Sequence, residues 1–305
     1  NGCKYWGQLL LLPIYWLSFL MPRDKNIWLF GSTFGRRFAD NPRYLYLYVS
    51  QHSDRSSNQV HQQVEAWKKQ GHQWNVDENC KNLRPIWMSH SRDIVSFLQE
   101  QGYEAYYYHS LKGIWYALRG GVYVYDNYSK DINFWQSGGA VKVNLWHGLP
   151  LKKIQHDNIH DRFRHPRNVW EKFKCFPRNL SDEKPSDTVL CPSERMRDIF
   201  ASAFQTEHVI VSGYPRWDGM LEKEICNLNT EVEKKALDKI KEQLHQIPDS
   251  KVIYYMPTFR DSETSIFNVM NFRTFQYFLE QNHYIFCVKL HPKSKLRERF
   301  QAIES

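Results

Sequence analysis

The sequence predicts an α/β protein whose parallel sheets carry helices on both faces. Short apolar runs recur as strands, and a helical pattern follows most of them, the rhythm of a doubly covered parallel sheet. Three of those strands also end in a cation or a histidine. Residues 141–146 run into His147-Gly148, with Pro150, Lys152 and Lys153 beyond. Residues 251–256 run into Pro257, Thr258 and Arg260, and residues 284–290 end in Lys289 and Leu290 before His291. The ends of strands are where an open α/β sheet places its ligand chemistry.

Taken in order, the chain begins with one strongly apolar stretch, LLLLPIYWLSFLM at 9–21, too short for the roughly 20 residues a membrane span needs. It reads as a buried or interfacial helix, or as a signal remnant preceded by Lys4, although no small-residue cleavage site follows. A strand is expected at 26–31, then a polar loop holding Arg36, Arg37, Asp40 and Asn41, and a helix starting near Tyr44. A short helix is expected at 60–70, strands at 85–88, 105–109 and 122–125, and helices at 92–101 and 112–119. The strand at 122–125 ends in Asp126-Asn127. Residues 157–178 mix Arg162, Arg164, Arg167, Lys172, Lys174 and Arg178 with Phe163, Trp170, Phe173 and Phe176. That pattern is either a solvated helical face with a buried stripe or a surface for anionic lipid or phosphate. A strand at 187–191 precedes Ser193, the expected N-cap of a helix at 194–204. After a strand at 208–212, the Lys- and Glu-rich stretch 222–246 reads as a surface helix joining two domains.

At 305 residues the chain can hold two cores. Its formal charge of +8 favours a polyanionic partner. Nucleic acid is not expected: the sequence has no zinc-finger spacing, RNP-like run or basic recognition helix. The six cysteines include no C-x-x-C, and Cys191 and Cys287 fall in apolar strand patterns, as free thiols in a reducing compartment do. The chain opens at Asn1 without a methionine and closes in KSKLRERFQAIES, as expected of a fragment.

Four segments in order, NLWHGLPLKKI, SGYPRWD, YYMPTFRD and VKLHP, together with FADNPRYLY, resemble the CDP-glycerol glycerophosphotransferase family. These are alditol-phosphate primases and polymerases of teichoic-acid and capsule synthesis. The resemblance runs from about Ile27 to the end and implies a GT-B-like architecture, two Rossmann-like domains with parallel sheets, the second apparently truncated. The residues themselves mark 1–25 as an apolar helix, at a membrane interface or in a core; on the family's pattern 26–220 is the acceptor-side domain, 221–250 the connection and 251–305 the start of a nucleotide-binding domain. The serine-rich, aspartate-containing segment with which the family grips its donor has no match here, so weak donor binding is expected of this chain.

The implied reaction moves glycerol phosphate or ribitol phosphate from a CDP-alditol to a lipid-linked or polymeric phosphate or glycan acceptor, with no further cofactor and no metal. An acceptor hydroxyl needs a base, for which a histidine is suited, and the pyrophosphate needs cations where charge accumulates. By resemblance His147 is the base, and His291 is the second catalytic histidine, binding or neutralising the phosphates with Arg260 and Lys289. Thr258 meets the same phosphates, and Gly148, Asp126 and Asn127 line the acceptor side. Arg216 and Asp218 are expected to hold a turn. The implied place of work is peripheral, on the cytoplasmic side of the membrane, against an anionic surface. Two rivals stand beside this reading: a truncated remnant that docks on polyanions without turnover, and a GT-B enzyme with a nucleotide-sugar donor.

Overall fold

The structure is a computed structural model describing residues 6–71, 75, 77–182, 184–221, 227–247, 249–257, 270–290 and 300. It divides into two compact units, Asn1–Leu228 and Asn229–Ser305.

In the first unit the elements run α1 (Leu12–Ser18), β1 (Asp24–Phe30), α2 (Asp40–His52), α3 (Asn58–Lys69), β2 (Arg84–Ser89), α4 (Arg92–Glu100), β3 (Ala105–Tyr107), α5 (Leu111–Arg119) and β4 (Gly120–Tyr125). They continue with β5 (Val141–Asn144), α6 (Val169–Asp182), β6 (Thr188–Cys191), α7 (Arg197–Phe204), β7 (Val209–Val211) and α8 (Pro215–Leu221). The seven strands form one sheet in the order β3-β2-β1-β4-β5-β6-β7, every pair parallel. The order reverses between β1 and β4. At such a switch point the two connections leave in opposite directions and open a crevice at the carboxyl ends of the strands.

Alternation along each strand feeds two cores. Phe30, Trp87 and Val124 point to one face, where Tyr46 and Leu47 of α2 and Leu98 of α4 cover them. Their neighbours Leu29, Ile86, Met88, Tyr123 and Tyr125 point to the other, closed by Ala117 of α5. A third cluster joins Trp146 to Val189 and Cys191 of β6 and Phe200 and Phe204 of α7. Burial on both faces is why these strands read as nearly continuous apolar runs.

Several boundaries differ from expectation for identifiable reasons. Helix α2 starts at Asp40, ahead of Tyr44, because Pro42 is tolerated in a first turn where its missing N–H has no partner to lose. The strand expected at 141–146 ends at Asn144, since the Asn144 side chain accepts the Trp146 N–H (2.8 Å) and Trp146 turns to a φ of 50°. Ser193 makes no capping bond; a 3-10 turn, Glu194–Met196, leads into α7 instead. Only the second half of the basic-aromatic stretch is helical, as α6. In the first half Arg164 is a buried anchor, bonded to Asp161, to Gln155 (2.5 Å) and to the Tyr128 hydroxyl (3.0 Å). Arg178 stacks over Phe163 at 3.8 Å. Arg164 is therefore not available to an outside anion.

The apolar N-terminal stretch packs onto this unit. Tyr15 is buried and stacks on Phe134 at 4.7 Å, while Trp16, Leu17, Phe19 and Leu20 stay exposed. Among the described residues no helix is long and apolar enough to cross a membrane.

The second unit holds α9 (Glu231–Gln246), β8 (Lys251–Tyr255), α10 (Phe272–Gln281) and β9 (Tyr284–Val288), with β8 and β9 paired in parallel. Thr230 and Glu233 close a capping box that fixes the start of α9. Cys191 is a free buried thiol as expected, and Cys287 is free but only half-buried.

Candidate active site

The crevice at the carboxyl ends of β1, β4 and β5 collects the chemistry. Past β1, Thr33, Phe34 and Gly35 have φ of 49°, 57° and 72° in succession. Gly35 is required there, because a Cβ would lie 2.4 Å from the His90 ring. Past β4 come Asp126 and Asn127; past β5 comes His147.

His147 is exposed, as the sequence implied for a residue just beyond a strand end. Its Nδ1 lies 3.3 Å from the Asp126 carbonyl oxygen. A carbonyl only accepts, so Nδ1 carries the hydrogen, and in the neutral imidazole Nε2 is then the nitrogen with the lone pair. Among the described residues Nε2 has no hydrogen-bond partner in the structure. The ring packs against Trp146, centroids 3.9 Å apart, and Trp146 is itself held against Phe204.

The backbone around His147 is fixed from the far end of the unit. Arg216, at the start of α8, donates to the His147 carbonyl (2.9 Å) and to the Asp40 carboxylate (3.0 Å). The fully buried Asn41 donates its side-chain amide to the Trp146 carbonyl (2.8 Å), and the Tyr214 hydroxyl donates to the Gly148 carbonyl (3.2 Å). Burial pushes the Asp40 carboxyl above its usual range. The Asn41 N–H and the Arg216 guanidinium oppose that, Asp126 adds to it, and His147 opposes it. Asp40 thus lies within electrostatic reach of both Asp126 and His147.

The structure brings some expected residues together and turns others away from the surface. His147, Gly148, Asp126 and Asn127 meet in one place. A Cβ on Gly148 would meet nothing within 4 Å, so packing does not demand the glycine. The Asp126 carboxylate faces inward: it accepts from the Ser32 hydroxyl (2.6 Å), the Thr33 N–H (3.0 Å) and the Asn127 side-chain amide (2.7 Å). What Asp126 offers the site is its carbonyl. Lys289 lies in the second unit, exposed, its N–H bonded to the Tyr255 carbonyl (3.0 Å). His291, Arg260 and Thr258 lie outside the described residues. Sequence reasoning passed over Ser32, Asp131, Tyr214 and the pairing of Asp40 with Arg216. The loop FADNPRYLY was the one signal pointing to Asp40. Among the described residues no group of three or more His, Cys, Asp or Glu side chains is placed to hold a metal.

Against known families, the model described as CDP-glycerol:poly(glycerophosphate) glycerophosphotransferase matches residues 14–302. The chain belongs to this family. A teichoic acid poly(glycerol phosphate) polymerase of Bacillus spizizenii is 30% identical over 261 residues, covering 83% of this chain and 56% of the relative. A teichoic acid glycerol-phosphate transferase of Staphylococcus aureus is 27% identical over 244 residues, covering 79% of this chain and 52% of the relative. The chain thus spans about half the length of these curated relatives. Among solved structures, the wall teichoic acid polymerase TagF superposes with a TM-score of 0.56 at 20% identity, over 95% of this chain and 64% of that one. The fold is accordingly the GT-B-like α/β fold of that polymerase. Within the glycerophosphotransferase family, the four segments quoted from the sequence fall inside the matched range, and His147 lies in the first of them.

Proposed function

We propose that this protein works in the transfer of glycerol phosphate, or ribitol phosphate, from a CDP-alditol to a hydroxyl of a teichoic-acid-like or capsular acceptor, releasing CMP. Family membership supports the reaction class, and a variant of the TagF polymerase has been solved after soaking with CDPG. The observation that carries the residue assignment is the free Nε2 of His147 at the switch-point crevice, its Nδ1 held by the Asp126 carbonyl.

In this reading the acceptor hydroxyl gives its proton to His147 Nε2 as its oxygen attacks the alditol-bearing phosphorus. The new P–O bond forms, the bond to the CMP oxygen breaks, and CMP leaves with the electron pair. A base placed this way contributes roughly 10²–10⁴-fold. His291, Arg260, Lys289 and Thr258 are assigned to the donor phosphates on their motifs. No cofactor beyond the CDP-alditol is needed. The test is to incubate the protein with CDP-glycerol and a glycerol-phosphate-primed acceptor. With donor supplied in excess to offset the weak binding expected of this chain, CMP release in step with acceptor growth is expected; turnover of nucleotide sugars without release of CMP would overturn the assignment.

The place of work is proposed as the cytoplasmic face of the membrane, bound peripherally. Trp6 of the N-terminal segment packs on Phe173 of α6 at 4.6 Å. The N-terminal segment exposes Leu17 and Leu20, and α6 exposes Trp170 and Phe176 beside Lys172 and Lys174. Apolar side chains with cations at the rim suit an anionic bilayer. Sedimentation with anionic but not neutral vesicles, weakened by salt, is expected. Equal binding to neutral vesicles at high salt would remove the electrostatic part.

A further inference from the structure

Beneath the His147 crevice lie two carboxyls that proton transfer to Nε2 does not use. Asp126 is 2% exposed and Asp131 0%. Asp131 accepts from the Phe34 N–H (2.9 Å) on one oxygen, and from the N–H groups of Asn127 (3.0 Å) and Tyr128 (3.4 Å) on the other. Asp126 accepts from Ser32 and Thr33 on the same loop. Burial, and then the facing Asp126 charge, push Asp131 well above the usual carboxylate range.

The geometry gives the pair a task. Thr33 and Phe34 hold left-handed backbone that a β-branched and an aromatic residue keep only where their surroundings over-determine it. The Thr33 and Phe34 N–H groups are the ones the two carboxyls receive. On the opposite side, the Asp126 carbonyl receives His147 Nδ1. Among the other charged groups near this knot, Lys130 lies over the rings of Phe34 and Tyr128, His90 bonds the Ile132 carbonyl (3.2 Å), and Asp40, within electrostatic reach of Asp126, pairs with Arg216.

We propose that Asp131 is a positioning residue for His147: by accepting from Phe34 on one oxygen and from Asn127 and Tyr128 on the other, it locks the Ser32–Thr33–Phe34–Gly35 loop onto the 126–128 turn and keeps the Asp126 carbonyl where it fixes the imidazole tautomer. The proposal rests on His147 being the base, and it is separable from that reading because the tautomer is visible without turnover. Nitrogen NMR of 15N-histidine-labelled protein, with His147→Gln to assign the signal, should show the Nδ1–H form of His147 in the wild type. Asp131→Ala should show a mixture of both tautomers, and CMP release should fall by about 10²-fold in kcat with KM within about twofold, the scale of a misplaced catalytic group. Asp131→Asn keeps one accepting oxygen and should shift the tautomer and lower the rate by less than Asp131→Ala. Ser32→Ala removes the hydroxyl that bonds Asp126 and Thr33 and serves if Asp131→Ala does not fold; it should shift the tautomer the same way by less. An unchanged His147 signal in Asp131→Ala or Ser32→Ala, or an Asp131→Asn variant as impaired as Asp131→Ala, overturns the proposal. A tautomer that shifts as expected, alongside a His147→Ala protein with unaltered rate, would instead leave the lock standing and remove the base.

Discussion

His147 stands between two unlike regions. On its buried side Asp126 accepts from Ser32 and Thr33, and Asp131 accepts from Phe34, Asn127 and Tyr128. On its open side the Asp40–Arg216 pair is only partly covered, the two side chains 26% and 29% exposed. Both sides use carboxylates, yet the physics differs. A buried polar group left without a partner costs the full desolvation penalty, so the inner side sets geometry and stability. A half-exposed ion pair is screened and contributes little to folding, so the outer side can be spent on placing a backbone carbonyl. Sequence alone does not separate the roles, because both regions read simply as Asp near a turn.

That contrast can be broken by mutation, and the expected stability effects fall in order. Asp126→Ala strands the Ser32 hydroxyl, the Thr33 N–H and the Asn127 amide, and should cost about 3 kcal/mol or more in urea unfolding. A loss below about 1 kcal/mol would mean that the inner side is not the stabilising one.

Asp131→Asn should reveal itself through pH. The raised native value of Asp131 means that the folded state holds a proton the unfolded chain releases. Wild-type stability from this group is then fully present below the unfolded value near 3.8 and is lost as pH rises toward the native one. Asn has no such loss. The stability of Asp131→Asn relative to wild type should therefore rise with pH, by up to about 1.4 kcal/mol per unit across that window. A flat difference between pH 4 and 7 would show that no proton is held.

Arg216→Ala should have the smallest effect on folding, about 1 kcal/mol or less. It should nevertheless lower turnover, since the His147 carbonyl loses its guanidinium donor. Equal losses of stability and activity would place Arg216 with the inner region after all.

Much of the sheet was legible, because an apolar strand followed by an amphipathic helix is a local pattern. Of the candidate site, His147 and Asp126-Asn127 were visible at strand ends for the same reason. The partners were not. Ser32 meets Asp126 across 94 residues and Arg216 meets Asp40 across 176, distances at which no spacing rule speaks. Nor does anything local mark Thr33, Phe34 or Trp146 for left-handed backbone, a conformation that tertiary bonds impose on residues ill suited to it. Arg164 misled in the opposite direction: its place in a basic run suggested a surface, and its three partners bury it.

The most direct test of the account is His147→Ala, with melting temperature and initial rate of CMP release measured on the same preparation. His147 is exposed and its side chain makes one long hydrogen bond, so its removal should leave the melting temperature nearly unchanged. The rate should fall by roughly 10²–10⁴-fold. A stable His147→Ala protein that releases CMP at close to the wild-type rate would contradict the assignment of the base.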